Sequence, residues 1–245
     1  MIIGKDGVIY MSETELGIYI HVPFCKSKCY YCDFNSYATK NSIIPLYFKA
    51  LIKEIEYYEK ISSCNKYHIK SIYIGGGTPS FISPEYILRI VEKLRNTFNV
   101  RENAEITIEA NPGTLSCDKL VIYKSAGINR LSMGLQAWQE RLLKLLGRIH
   151  TSDEFITNIY AAKEAGFSNI STDLIFGLPE QTLNEWKQTL DNVLNLDITH
   201  LSCYSLKIEE GTLLEEKIKN GELLYPDEEL DREMYHYTIA KFHNV

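Results

Sequence analysis

The chain has 245 residues and a mass of 28.2 kDa, with 45% hydrophobic and 24% charged residues, enough to bury a full core without disulfide or metal staples. Its 26 Lys and Arg against 32 Asp and Glu leave a net charge of -6, which argues against a general nucleic-acid binder, whose affinity rests on neutralising phosphates. Residues 1–16, MIIGKDGVIYMSETEL, lack the apolar core of a signal peptide and no apolar run reaches the ~18 residues of a transmembrane segment, so the expected location is the cytoplasm, where thiols stay reduced.

After that short lead, β-branched or aromatic runs alternate with longer amphipathic stretches. The expected strands are 18–22, 71–75, 105–110, 130–134, 169–174 and 199–206, and the expected helices are 43–60, 84–98, 116–126, 137–146, 153–165 and 182–194. Ser83 before Pro84, and the TSDE opening at 151–154, are helix-start signals. Six strand–helix units imply a parallel sheet in an α/β fold, and that number suits a partial (β/α)6 barrel better than a closed eightfold one. Residues 17–210 contain no repeat, low-complexity tract or linker and are read as one core. Residues 211–245 read as the start of a C-terminal helical region that stops without a Gly cap or polar tail, which predicts a longer natural chain and a missing C-terminal domain.

The expected first strand runs into three of the 6 cysteines: Cys25, Cys29 and Cys32, spaced C-x3-C-x2-C. Three thiolates can hold three corners of a cubane iron–sulfur cluster, and one short loop can wrap it while the fourth iron stays without a protein ligand. A structural zinc site would need a fourth ligand, for which His21 is the nearby candidate; incidental thiols are the remaining alternative. Cys64, Cys117 and Cys203 are scattered and read as small buried hydrophobes.

Other polar residues fall where a barrel-like fold builds its site. Gly75, Gly76 and Gly77 follow the second strand, where missing side chains let backbone approach a ligand; a plain turn explains them as well. Glu109, Gln136 and Asp173 lie at or just beyond the C-terminal ends of the third, fourth and fifth strands, the rim to which the cysteine loop also belongs. Each alone could be a turn-capping loop residue. Arg148 could clamp a carboxylate with its planar fork, or stand solvated at a helix end. His21, His150 and His200 have no evident partner and are read as structural.

The segment IYIHVPFCKSKCYYCDF resembles the cluster loop of radical S-adenosylmethionine proteins, in the family of oxygen-independent coproporphyrinogen III oxidase and its heme-chaperone relatives. YIGGGTPS, ITIEANPGT, RLSMGLQ, LGRIHT and DLIFGLPEQT continue the resemblance in order over about residues 17–210. It implies a partial radical-SAM barrel with a [4Fe-4S] cluster on Cys25, Cys29 and Cys32. It further implies S-adenosylmethionine contacts from Tyr19, Tyr31, Gly76, Gly77, Thr78, Glu109, Gln136, Arg148 and Asp173. In the family the open iron chelates the cofactor's amino and carboxylate groups, and reductive cleavage of its sulfonium yields a 5′-deoxyadenosyl radical.

The oxidase branch typically carries a fourth cysteine two residues after the third ligand and a longer N-terminal segment. Here that position is Phe34. The resemblance therefore points to the chaperone branch, with heme as cargo, hemoproteins as acceptors, a homodimer as a compatible form and no catalytic residue assigned; the alternative it leaves open is oxygen-independent oxidation of coproporphyrinogen III. Its heme-associated region is expected beyond residue 245.

Overall fold

The computed structural model describes residues 2–3, 9–10, 14–38, 41–61 and 67–243. Two short strands in the lead, β1 (Ile2–Ile3) and β2 (Ile9–Tyr10), pair antiparallel. The main sheet comprises β3 (Thr14–Val22), β4 (Tyr67–Gly76), β5 (Val100–Ala110), β6 (Arg130–Gln136), β7 (Asn169–Phe176) and β8 (His200–Ser205), parallel throughout and paired in chain order. Because β3 and β8 are its two edges and are not bonded to each other, the sheet is an open half-barrel. The connections run through α1 (Ile44–Ile61), α2 (Pro84–Thr97), α3 (Cys117–Ser125), the pair α4 (Glu140–Leu145) and α5 (Ser152–Glu164), and α6 (Leu183–Leu194).

Strand alternation separates the two faces of this sheet. Val22, Ile72, Ile74, Ile106, Ile108, Leu131, Met133 and Ile170 are at most 2% exposed and pack in one cluster with Ile87, Ile90, Phe155, Ile159, Trp186 and Leu190 of the helices. Burial of each such aliphatic side chain contributes roughly 1.5–3 kcal/mol. The intervening residues form rows across the opposite, concave face: Tyr19, Tyr73, Thr107 and Arg130 in one, Glu109, Ser132, Ser171 and His200 in another. In a closed barrel these positions would carry packed aliphatics; here they are polar.

Helix starts follow their capping chemistry. Thr151 with Glu154 and Thr182 with Glu185 form reciprocal capping boxes at α5 and α6. Helix α2 begins at Pro84 as expected, but the Ser83 hydroxyl donates to Glu85 instead of accepting a backbone bond.

The sequence expectations are corrected at several boundaries. β3 starts at Thr14, inside the lead, where Glu15 is tied to Lys70 (3.2 Å) and Arg101 (2.6 Å) and lets a polar segment continue an edge strand. α4 starts at Glu140 and not at 137, because β6 runs on to Gln136, whose φ of 73° turns the chain, and Ala137 is committed to a small apolar cluster. Asp173 lies within β7, which extends to Phe176. Cys117 is exposed at the start of α3, contrary to the buried reading, whereas Cys203 is partly buried against the main core; Cys64 lies outside the described residues.

Two further helices follow, α7 (Leu213–Lys219) and α8 (Glu228–Phe242). Trp186 Nε1 donates to Thr238 Oγ1 at 2.9 Å and Met234 is fully buried, which ties α8 to α6. Leu214 is fully buried where α7 meets the cysteine loop. No helix among the described residues is long and apolar enough to cross a membrane.

Candidate functional site

The loop that follows β3 is held from four directions. Cys25 N–H donates to Tyr37 O (3.1 Å) and Tyr37 N–H to Pro23 O (2.8 Å), closing the loop on itself. Gly77 N–H and Thr78 N–H donate to Val22 O and Phe24 O, both at 2.8 Å, fastening it to the end of β4. Tyr30 N–H donates to Leu146 O (2.9 Å), and Tyr30 O accepts from Leu214 N–H (2.8 Å). The loop thus sits between the α4 end and α7.

Within it, Cys25, Cys29 and Cys32 border one open cavity of ≈ 460 Å3 at the C-terminal ends of the strands. Thr78 Oγ1 donates to Cys25 Sγ at 3.5 Å, and Arg148 Nη1 donates to Cys29 Sγ at 3.4 Å, so both sulfurs meet a hydrogen-bond donor. Among the described residues, no group of three or more His, Cys, Asp or Glu is arranged around a single ion.

The same cavity brings together Tyr31, Gly76, Gly77, Thr78, Glu109, Gln136, Arg148 and Asp173. Tyr19 does not border it: its ring is largely exposed, stacks on Tyr73 (centroids 6.2 Å apart) and hydrogen-bonds His21 Nδ1 at 3.0 Å. The glycine run also answers to packing. A Cβ on Gly77 would lie 2.8 Å from Phe24 O and 2.9 Å from Phe24 N, so the strand end can meet the cysteine loop only without a side chain.

Glu109 accepts from Tyr73 Oη at 2.8 Å and from Gly76 N–H at 3.0 Å. Burial nevertheless raises its pKa, against the lowering effect of those two donors. Asp173 is raised for the same reason, with Ser202 and Ser132 opposing. Arg148 is a half-buried loop residue, not a solvated helix end: Nη2 donates to Gly134 O at 2.6 Å, and its buried Nε has no partner among the described residues. A ligand acceptor could use that Nε.

The histidines divide. His21 is bonded at both nitrogens, and since Asn35 O (3.0 Å) can only accept, its Nε2 carries the proton and Nδ1 accepts from Tyr19. His150 is buried, with Nε2 on Leu135 O at 3.2 Å and Nδ1 unpartnered; burial, and secondarily Arg148, push its pKa down to about 3. His200 lies 3.4 Å from Ser202 Oγ.

Tyr73, Ser132, Ile175 and Tyr204 also border the cavity and were not singled out from the sequence. Ser132 and Ile175 lie two residues from Arg130 and Asp173 on the same concave face, but what places Tyr73 opposite Thr107 and Tyr204 opposite Ile175 is strand register, which the sequence does not display. Phe34, 61% exposed, stands on the cavity wall, with Lys28 donating to its carbonyl at 3.2 Å.

A parallel half-barrel with a three-thiol loop and a polar pocket on the carboxyl rim of its strands defines an α/β protein equipped for an iron–sulfur cluster and a small polar cofactor. Residues 19–193 match the profile described as the Radical SAM superfamily, and the chain belongs to that superfamily. The chain is 39% identical over 224 residues to the heme chaperone HemW of Bacillus subtilis (strain 168), covering 91% of this chain and 59% of that protein. It is 40% identical over 199 residues to the heme chaperone HemW of Escherichia coli (strain K12), covering 81% and 52%. Among solved structures, the coproporphyrinogen III oxidase HemN of Escherichia coli, described as a radical SAM enzyme, superposes with a TM-score of 0.86 at 31% identity, covering 95% of this chain and 53% of that one. The chain therefore spans between half and three-fifths of the length of these relatives.

The superfamily uses a [4Fe-4S] cluster and S-adenosylmethionine, and the residues present fit both. Three thiols share one cavity wall, two of them with donors; the cavity beside them offers unpartnered buried Arg148 Nε and two carboxylates.

Proposed function

We propose that this chain is the core of a heme chaperone built on a radical-SAM half-barrel, binding heme and delivering it to hemoproteins from the cytoplasm. Cys25, Cys29 and Cys32 hold the cluster; Tyr31, Gly76, Gly77, Thr78, Glu109, Gln136, Arg148 and Asp173 surround S-adenosylmethionine, and Tyr19 supports them from behind Tyr73. When bound, this pair supplies one-electron reductive chemistry at a sulfonium. The protein's own contribution is to bind and orient: Thr78 and Arg148 donate hydrogen bonds to the Cys25 and Cys29 sulfurs, and Gly77 lets the β4 end seat the cysteine loop. Residues 17–210 form this core, 1–16 a lead, and 211–245 the beginning of a C-terminal region whose remainder would handle heme and hemoprotein acceptors.

The observation that carries the branch is Phe34, on the cavity wall where the oxidase branch typically has a further cysteine. Identity of 39% and 40% to two heme chaperones supports the same reading. The alternative, oxygen-independent oxidation of coproporphyrinogen III, draws support from the structural likeness to HemN. Anaerobic assay of the iron-loaded full-length protein separates them: tight heme binding without conversion of coproporphyrinogen III is the expected result, and robust conversion would move the protein to the oxidase branch. The 245-residue chain alone should bind heme poorly, since its scattered histidines form no axial pair: His21 and His150 are held on backbone carbonyls.

A further inference from the structure

Two donors converge on the Glu109 carboxylate from the neighbouring strand β4, and one of them, Tyr73, is not used by the cofactor assignment. Tyr73, on β4, donates its phenol proton to Oε1 at 2.8 Å, and Gly76 N–H donates to Oε2 at 3.0 Å. Between these donors lies Gly75, where a Cβ would fall 2.8 Å from Tyr73 Cε1 and 2.9 Å from both Glu109 Cδ and Oε2. Any side chain at 75 would displace the ring, the carboxylate or both, so the glycine is explained by this contact. The Tyr73 ring is itself braced by Tyr19, stacked at 6.2 Å with an interplanar angle of 26°.

A carboxylate with each oxygen already accepting one bond has lost its rotational freedom but keeps a second acceptor direction on each oxygen. Both Tyr73 and Glu109 border the cavity, so those directions are available to a hydroxyl or ammonium donor on a ligand. We propose that Tyr73 is a positioning residue that sets the orientation and charge of Glu109 for a donor group of an adenosyl ligand. The ligand half of this rests on the S-adenosylmethionine reading above; the Tyr73 half rests on the geometry alone.

The charged and titratable neighbours of the pair are Tyr19 and His21 on β3, Asp173 on β7, and Arg130 on β6, which faces Tyr73 and Asp173. Tyr73 and Gly76 lower the Glu109 pKa against burial, so deleting the phenol hydroxyl removes a stabiliser of the ionised form and moves its titration up.

Two measurements on the iron-loaded protein, made with Tyr73→Phe, Glu109→Gln and the double variant, separate the halves. In the adenosyl-free protein, the carboxyl infrared band that Glu109→Gln removes should titrate at higher pH in Tyr73→Phe; an unmoved titration overturns the positioning role. In calorimetry with S-adenosylhomocysteine from about pH 5 to about pH 9, Tyr73→Phe should weaken binding roughly tenfold near neutrality. Its acid limb should shift upward, and the same change in the Glu109→Gln background should cost less than about twofold. Equal losses in both backgrounds overturn the claim that Tyr73 acts through Glu109. A moved infrared titration with unchanged affinity in both single variants instead overturns the adenosyl ligand as the group Glu109 receives, while the Tyr73 role stands.

Discussion

The two faces of the half-barrel are made of the same strands yet obey different chemistry. On the helix side Ile72, Ile106, Ile108, Leu131 and Met133 are wholly buried and contribute free energy of folding by leaving water. On the concave side Tyr73, Glu109, Ser132 and Asp173 are held by one another, and burial works against the two carboxylates, whose pKa values are raised. One face accounts for the fold, and the other stores polar groups whose desolvation the fold tolerates for a ligand. Substitutions on the two faces should therefore separate stability from binding.

The largest separation is expected at the cysteine loop. Cys25→Ala, Cys29→Ala or Cys32→Ala should each take anaerobically reconstituted protein from about four irons per chain to essentially none, with the circular dichroism of the sheet and helices unchanged. Cys117→Ala and Cys203→Ala, one exposed and one partly buried, should leave the iron count intact. Stoichiometric zinc without iron in the unsubstituted protein would overturn the cluster assignment.

Gly77→Val comes next. Its Cβ would collide with the backbone at Pro23 and Phe24, the lead into Cys25, so the iron content itself should fall, and with it any response to S-adenosylmethionine. A full cluster with only the cofactor response lost would show that the β4 end shifts without disturbing the loop.

This contact marks the limit of what the sequence could show. The six strands and most helices were legible because aliphatic alternation and the TSDE-type caps act locally. The polar partners of that alternation were not. Tyr73 and Ser132 gain meaning only through register, which sets Glu109 opposite Ser132 and Tyr73 opposite Thr107. Gly77 read as a ligand contact because the backbone it packs against lies far back in the chain. The start of β3 was missed because Thr14–Leu16 is a polar edge whose pairing with β4 is long-range, and α7 was not singled out within the helical region read over 211–245 because it has only seven residues, started by the Thr212 hydroxyl on Glu215 N–H.

A matched pair of substitutions tests the two faces at neighbouring positions. Ile108→Ala empties a fully buried site on the helix side and should cost about 2–5 kcal/mol in denaturant unfolding. Ser132→Ala, opposite Glu109 on the next strand, removes a 3.4 Å bond to Asp173 beside a cavity that admits water, and should cost under about 1 kcal/mol. Comparable losses would mean that the concave row is part of the load that keeps the sheet together.

The smallest effect expected is also the most diagnostic, because it has the opposite sign. The Glu109 carboxyl is raised by burial more than Tyr73 and Gly76 lower it, so the folded protein binds that proton more tightly than the unfolded chain does. Its contribution to stability is fully present below the unfolded carboxylate value, near about 4.3, and is lost as pH rises through the folded value. At neutral pH the ionised group is then a net cost, and Glu109→Gln, which keeps an acceptor for Tyr73, should raise the unfolding temperature of the adenosyl-free protein slightly. The gain should shrink as the pH is lowered toward the unfolded value, where the native carboxyl is already protonated. A variant less stable than the parent at neutral pH would show that the bonds from Tyr73 and Gly76 outweigh the desolvation of the carboxylate, and that the concave face holds the fold together as the convex face does.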